Sequence, residues 1–247
     1  MQKIEINNYM KDLLGLPKFS RIDLKQAMET AGIQIGEASL KATLQKLLDD
    51  GKVARVGRNA YCIPDVEYSL YRYQYSSEAI ELADKITESY PLVDFSVFEL
   101  VQLNEFLNHQ IAHNVIYVSV ENDCLDFIFE YLKNNYPGKV LYNPTEEDYH
   151  RYWSDNMIVV DKLVSEAPTG INKKWEARIE KILVDIMTSK VLQSSFGESE
   201  KPMIYNDVFH KYIIDESCMF RYAKRRGAEK KIRQFIKEET NVKLRLE

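Results

Sequence analysis

The sequence lacks the features that hold secreted and membrane-bound chains together. Cysteine occurs three times in 247 residues, at Cys62, Cys124 and Cys218, far apart and never as a CxxC pair. Isolated thiols in odd number give no disulfide frame and no zinc site, and predict a chain kept in a reducing cytoplasm. No apolar run approaches the ~20 residues that cross a bilayer. The opening MQKIEINNYM has neither a signal-peptide core nor a transit-peptide bias. A Walker phosphate loop, a GxSxG elbow and the Rossmann glycine fingerprint are all missing. Internal repeats and low-complexity tracts are missing too. What is there is ordinary: 45% hydrophobic residues, which excludes global disorder, in a length that suits two modest domains.

Net charge is −5, a value that hides a division along the chain. Residues 1–65 carry a balance of +2, residues 66–220 one of −13, and residues 221–247 one of +6. Nucleic acid would be repelled by the middle and attracted at the two ends.

The first end has an internal logic. Ser20 and Asp23 form a capping box that opens a helix with Leu24, Met28 and Ala31 as its buried stripe. Ile33 to Gly36 is the turn. A second helix follows, with Leu40, Leu44, Leu47 and Leu48 on one face, ended by Asp49-Asp50-Gly51. Val53–Val56 and Ala60–Ile63 then read as two strands, with Gly57-Arg58-Asn59 as their turn. Helix, turn, helix and hairpin in this order predict a winged helix-turn-helix, which lays a helix in the major groove and a wing along the backbone. The far side of the second helix presents Ala38, Ser39, Ala42, Gln45 and Lys46, with Lys41 on its flank. Ser39 and Gln45 suit base edges or phosphates, while Lys52, Arg55 and Arg58 suit phosphates along the wing. The plainer reading is a winged helix that packs only against protein.

A preceding helix is expected over Ile4–Leu14, and a boundary at Pro64-Asp65. Tyr68, Tyr71, Tyr73 and Tyr75 then suggest an extended segment with one aromatic face, suited to packing on a domain or, less simply, to stacking bases. From 66 to 164, helices (Ala79–Tyr90, Val101–Ala112, Leu125–Tyr136, Glu146–Trp153) alternate with strands (Leu92–Phe98, Asn114–Val120, Val140–Tyr142, Met157–Leu163). This pattern predicts a small α/β sheet domain. Ser165–Gly170 reads as a linker, and residues 165–247 as a helical region. There Trp175, Ile179, Ile182, Leu183 and Ile186 line one helix, and Pro202–Tyr212, Ser217–Arg226 and Ala228–Glu239 form three more. The expected fold is therefore α/β (α+β): a winged helix at 1–65, an α/β domain at 66–164 and a helical C-terminal region at 165–247.

Signs of catalysis are few. His109 and His113 have metal-helix spacing, but Gln110 stands where a zinc protease needs glutamate. Asp94 with Glu99 suggests a restriction-type nuclease, yet Val101 occupies the position of that site's lysine. Asp185, set in an apolar helix, needs a salt-bridge partner or a cap. Neither a catalytic residue nor a cofactor is predicted. The basic end crowds Arg221, Lys224, Arg225 and Arg226 at one helix end, with Lys230 and Lys231 on the next helix. A helix C-terminus favours cations, but the following N-terminal turn does not, so these residues form a candidate second anion contact.

Leu47 to Tyr61 (LLDDGKVARVGRNAY) resembles the wing signature of AbiEi-type antitoxins of type IV toxin–antitoxin, or abortive infection, systems. Ser165–Pro168, Glu180–Asp185 and Phe220–Gly227 resemble the C-terminal part of the same family. The resemblance implies a winged-helix repressor of its own promoter that counteracts a nucleotidyltransferase-like toxin. Asn59 stands where many relatives carry a second glycine, and asparagine also accepts positive φ. The other readings are a stand-alone transcription factor with a ligand- or protein-sensing α/β domain, and a divergent nuclease.

Overall fold

The computed structural model describes residues 8–64, 69–170 and 173–246. It forms two compact units: Met1–Tyr71 with Val208–Cys218 and Val242–Glu247, and Arg72–Asp207 with Met219–Asn241. The C-terminal stretch, read from sequence as one helical region, thus contributes to both. The fold is α+β.

In the first unit, a 3-10 helix at Asn8–Leu13 stands where a longer helix was expected; Ile4 to Asn7, like Asp65 and Tyr68, lie outside the described residues. Helix α1 (Arg21–Thr30) starts at the capping box: Ser20 Oγ accepts the Ile22 and Asp23 amides, and Asp23 accepts the Ser20 N–H at 2.7 Å. Leu24, Ala27 and Met28 are its buried face; Ala31 is the exposed C-cap and not part of the stripe. Helix α2 (Glu37–Asp49) buries Leu40, Leu44 and Leu47. Gly51 follows at φ +67°, a conformation few side chains tolerate. Strands β1 (Ala54–Gly57) and β2 (Ala60–Cys62) pair antiparallel, with a bulge between Arg55 and Gly57. Phe19 pairs with Tyr61 and ties the start of α1 to the hairpin.

The second unit is built on a four-stranded sheet of order β3-β4-β6-β5, from β3 (Phe95–Glu99), β4 (Val115–Val120), β5 (Val140–Tyr142) and β6 (Met157–Lys162). β3 runs antiparallel to β4, while β4, β6 and β5 are parallel. All six residues of β4 are buried, as parallel strands covered on both faces require. Alternation sorts the faces. Ile116, Val118, Val120, Ile158 and Val160 pack on helices α3 (Ser77–Ser89) and α4 (Leu125–Asn135) through Leu82, Ile86, Ile128 and Leu132. The opposite face carries Tyr117, Ser119 and Asp161 beneath helix α6 (Ile179–Thr188). The outer edge of β3 is covered: Val97 N–H donates to Trp175 O at 2.6 Å, and Ala177 N–H to Val97 O at 3.1 Å.

Short helices α5 (Glu146–Arg151) and α7 (Lys190–Gln193) flank this body. Helices α8 (Lys201–Lys211), α9 (Glu216–Arg225) and α10 (Glu229–Glu239) follow. Several expectations for this unit fail, and Trp175 lies before α6 and not on it. The helix over Val101–Ala112 is only a 3-10 segment, Leu100–Glu105, followed by a loop. Asn104 explains the break: its side chain accepts the Ile111 N–H at 2.7 Å and donates to the Ile111 carbonyl at 2.9 Å, closing a loop where a helix would run. The strand expected from Leu92 begins at Phe95, and Leu92 is 94% exposed. The tyrosine run serves packing: Tyr75 is buried and donates its hydroxyl to Val97 O at 3.0 Å, and Tyr73 packs edge-on against it.

Ile86, 0% exposed between α3 and the sheet, tests this packing. Ile86→Ala should cost about 2–5 kcal/mol, read as a lowered denaturation midpoint. An unchanged midpoint would contradict the described core.

Candidate nucleic-acid interface

The α2 periodicity that buries three leucines sends Ser39, Lys41, Ala42, Gln45 and Lys46 to the opposite, exposed side. Gln45 Nε2 donates to Asp49 Oδ1 at 2.8 Å, so one end of that amide is held along the helix axis. In the hairpin, Arg55 and Arg58 are exposed and Lys52 is half-buried. The Arg55 guanidinium lies over the Tyr61 ring, 5.6 Å from its centroid. Neither arginine is ion-paired among the described residues. The tip is a two-residue turn of Arg58 and Asn59, and Asn59 supplies the positive φ, +53°. Its side chain also accepts the Arg21 N–H at 3.3 Å. Gly57, expected as a turn residue, is instead the last residue of β1. It is glycine because there is no room: a Cβ there would lie 2.7 Å from Leu246 Cδ1 and 2.9 Å from Ser217 Oγ.

The basic helices of the second unit divide. Arg221 Nε and Arg225 Nη2 grip opposite oxygens of Glu166 at 2.6 and 2.7 Å, and these cations hold the Glu166 carboxyl below its usual range. Arg226 turns inward, donating to Thr188 Oγ1 at 3.0 and 2.8 Å. Three of the six residues of the candidate second anion contact therefore have partners within their own unit. Lys224, Lys230 and Lys231 remain exposed.

The catalytic alternatives lose their geometry. Glu99 is fully buried, with one oxygen accepting the Ser76 N–H at 2.8 Å and the other the Asn114 amide at 2.6 Å. Asp94 sits before the opposite end of β3, beside Glu121. His109 and His113 are on a loop, and each is exposed. His109 meets Glu200 at 3.0 Å, and His113 stacks edge-on against Trp153. Among the described residues no group of three or more acids, histidines or cysteines could hold a metal.

A buried polar cluster lies on the second face of the sheet and supplies the salt-bridge partner expected for Asp185. Asp185 accepts from Lys181 Nζ at 2.7 Å and from the Tyr222 hydroxyl at 2.9 Å, with Arg226 Nε 3.7 Å away. Lys181 also reaches Ser119 Oγ at 3.3 Å. Next to Ser119 in register is Asp161, whose buried Oδ1 has no hydrogen-bond partner among the described residues. Burial pushes the Asp161 carboxyl above its usual range; Lys181 pulls the other way and does not offset it. The cluster borders a cavity of about 20 Å³, which is water-sized, and its two acids face two cations. It is a charge-balanced core, too small for a substrate. The signal for it was the pair Lys181 and Asp185, four apart in an otherwise apolar helix.

Residues 39–242 match a family described as "Family of unknown function (DUF6577)". The chain belongs to that family. No curated protein sequence matches this DUF6577 chain. A crystal structure of the RV2827C protein from Mycobacterium tuberculosis is 12% identical, with 94% of this chain and 82% of that chain covered and a TM-score of 0.33. That likeness carries no functional argument.

Asp161 gives a pH prediction. A carboxyl whose folded pKa is raised binds its proton more tightly folded than unfolded, so it costs stability at neutral pH, and the cost fades as acid protonates it. Asp161→Asn should raise the urea midpoint at pH 7, with the gain shrinking towards the ordinary carboxylate range. A loss at pH 7 would mean that pairing with Lys181 outweighs burial.

Proposed function

We propose that the chain is a DNA-binding, antitoxin-like transcriptional repressor. In this reading it binds its own promoter through α2 and the hairpin and counteracts a nucleotidyltransferase-like toxin. The observation that carries the DNA part is the exposure of Arg55 and Arg58 on one short hairpin that follows an exposed polar helix face. A guanidinium at a hairpin tip meets phosphate oxygens bidentately, and the small residues Ala38, Ser39 and Ala42 leave a helix free to approach base edges. The antitoxin part rests on the resemblance of Leu47–Tyr61 and of Phe220–Gly227 to AbiEi-type proteins. It is supported by the acidic outer face of α3, where Glu78, Glu81, Asp84 and Glu88 are exposed. Such a face repels DNA and suits a basic protein partner. Among the described residues no helix is long and apolar enough to cross a membrane.

The test is a binding series on the DNA upstream of the chain's reading frame. Arg55→Ala with Arg58→Ala should weaken binding on every sequence and lower the log–log salt slope by about 0.9 for each phosphate no longer neutralised. Gln45→Ala should instead narrow the gap between upstream and unrelated DNA by about 1–3 kcal/mol. Unchanged affinity in the double arginine variant would refute the interface. Toxin neutralisation is tested separately, by co-expression with the product of the adjacent reading frame.

A further inference from the structure

The hairpin is held by residues far along the chain, all within its own unit. Glu216, 2% exposed at the first residue of α9, spends its two carboxylate oxygens on backbone. One accepts the Arg245 N–H at 2.6 Å and the other the Leu246 N–H at 3.0 Å. Ser217, the next residue, accepts the Arg58 N–H at 3.0 Å. Leu246 packs with Ala54, Val56, Ala60 and Ile213 beneath the strands, and presses on Gly57 so closely that no side chain fits there. A buried carboxylate is costly unless its hydrogen bonds are made, and here they are made to the backbone of Arg245 and Leu246.

We propose that Glu216 and Leu246 are positioning residues for the hairpin's contact with DNA, an inference that rests on the function proposed above. Glu216 fastens a C-terminal strap at Arg245 and Leu246, Leu246 seats Val56 and Gly57, and Ser217 fixes the amide of Arg58. The Arg58 guanidinium is thereby presented from a backbone already ordered before DNA arrives. A two-stranded hairpin alone is at best marginally stable in water. Without the strap it would have to be ordered on binding, and apparent affinity falls by the fraction of molecules in the competent form. Neither Glu216 nor Leu246 touches DNA in this scheme, so the number of phosphates neutralised is unchanged.

The experiment uses the full chain and a duplex of its own upstream DNA, with Leu246→Ala, Glu216→Gln and Arg58→Ala. Leu246→Ala and Glu216→Gln should each weaken binding by about threefold to tenfold with the salt slope kept, whereas Arg58→Ala flattens the slope. Without DNA, amide hydrogen exchange at Arg58 should quicken in both strap variants while the β4 amides stay protected. If Glu216→Gln fails to fold, Leu246→Ala alone decides. Unchanged affinity in the strap variants alongside a weakened Arg58→Ala overturns this inference and leaves the DNA interface standing. A strap variant with a flattened salt slope overturns it as well, since the strap would then change how many phosphates are neutralised. If no variant alters binding, the DNA reading has failed. The inference, which rests on that reading, falls with it.

Discussion

A short hairpin cannot stabilise itself in water, and the first unit is arranged around that constraint. β1 and β2 are four and three residues long, so their order must come from outside. It comes from Phe19, which pairs with Tyr61, and from Ile213 and Leu246 beneath the strands. The bulge between Arg55 and Gly57 bends β1, and such bends re-aim neighbouring side chains. A backbone fixed from below leaves Arg55 and Arg58 on the open, solvent-exposed side.

The second unit meets a different constraint. A parallel pair, β4 and β6, must be covered on both faces, and one face carries the polar groups Ser119 and Asp161 among its apolar residues. Replacing a buried ion pair by apolar groups is often neutral or stabilising, whereas removing one partner is costly. Lys181, Asp185, Tyr222 and Arg226 therefore do not explain stability by their presence alone. Their joint effect is to fix how α6 and α9 lie against each other and on the sheet, because only one arrangement satisfies Asp185 from three directions. Arg225 and Arg221 on Glu166 add an exposed clamp at the same helix, worth less because water screens it.

What the sequence disclosed was local. Leucine spacing in α2, the Ser20–Asp23 box and the β-branched runs of β4 and β6 each carry their structure within a few residues. Turn chemistry was legible in kind but not in detail, since Asn59 takes the positive φ and Gly57 is required by a neighbour 189 positions away. Non-local bonds were invisible. The loop after Leu103 depends on Asn104 reaching Ile111, and the strap depends on Glu216 reaching Arg245. The basic C-terminal cluster looked like a surface because periodicity cannot show that Glu166 and Thr188 lie beside it. The exposed residues of α2 and the hairpin were legible for the opposite reason, as they are what remains once the leucines are buried.

A second unit with a polar, cross-braced core and an acidic helix accompanies a small first unit whose hairpin arginines are exposed. The most direct test of that division of labour is amide hydrogen exchange on the full chain, with and without a saturating duplex of its own upstream DNA. Protection should concentrate at α2 and at Ala54–Cys62, with α3 and β4 unchanged. Protection confined to α3, α4 or α10, with the hairpin exchanging as before, would contradict it.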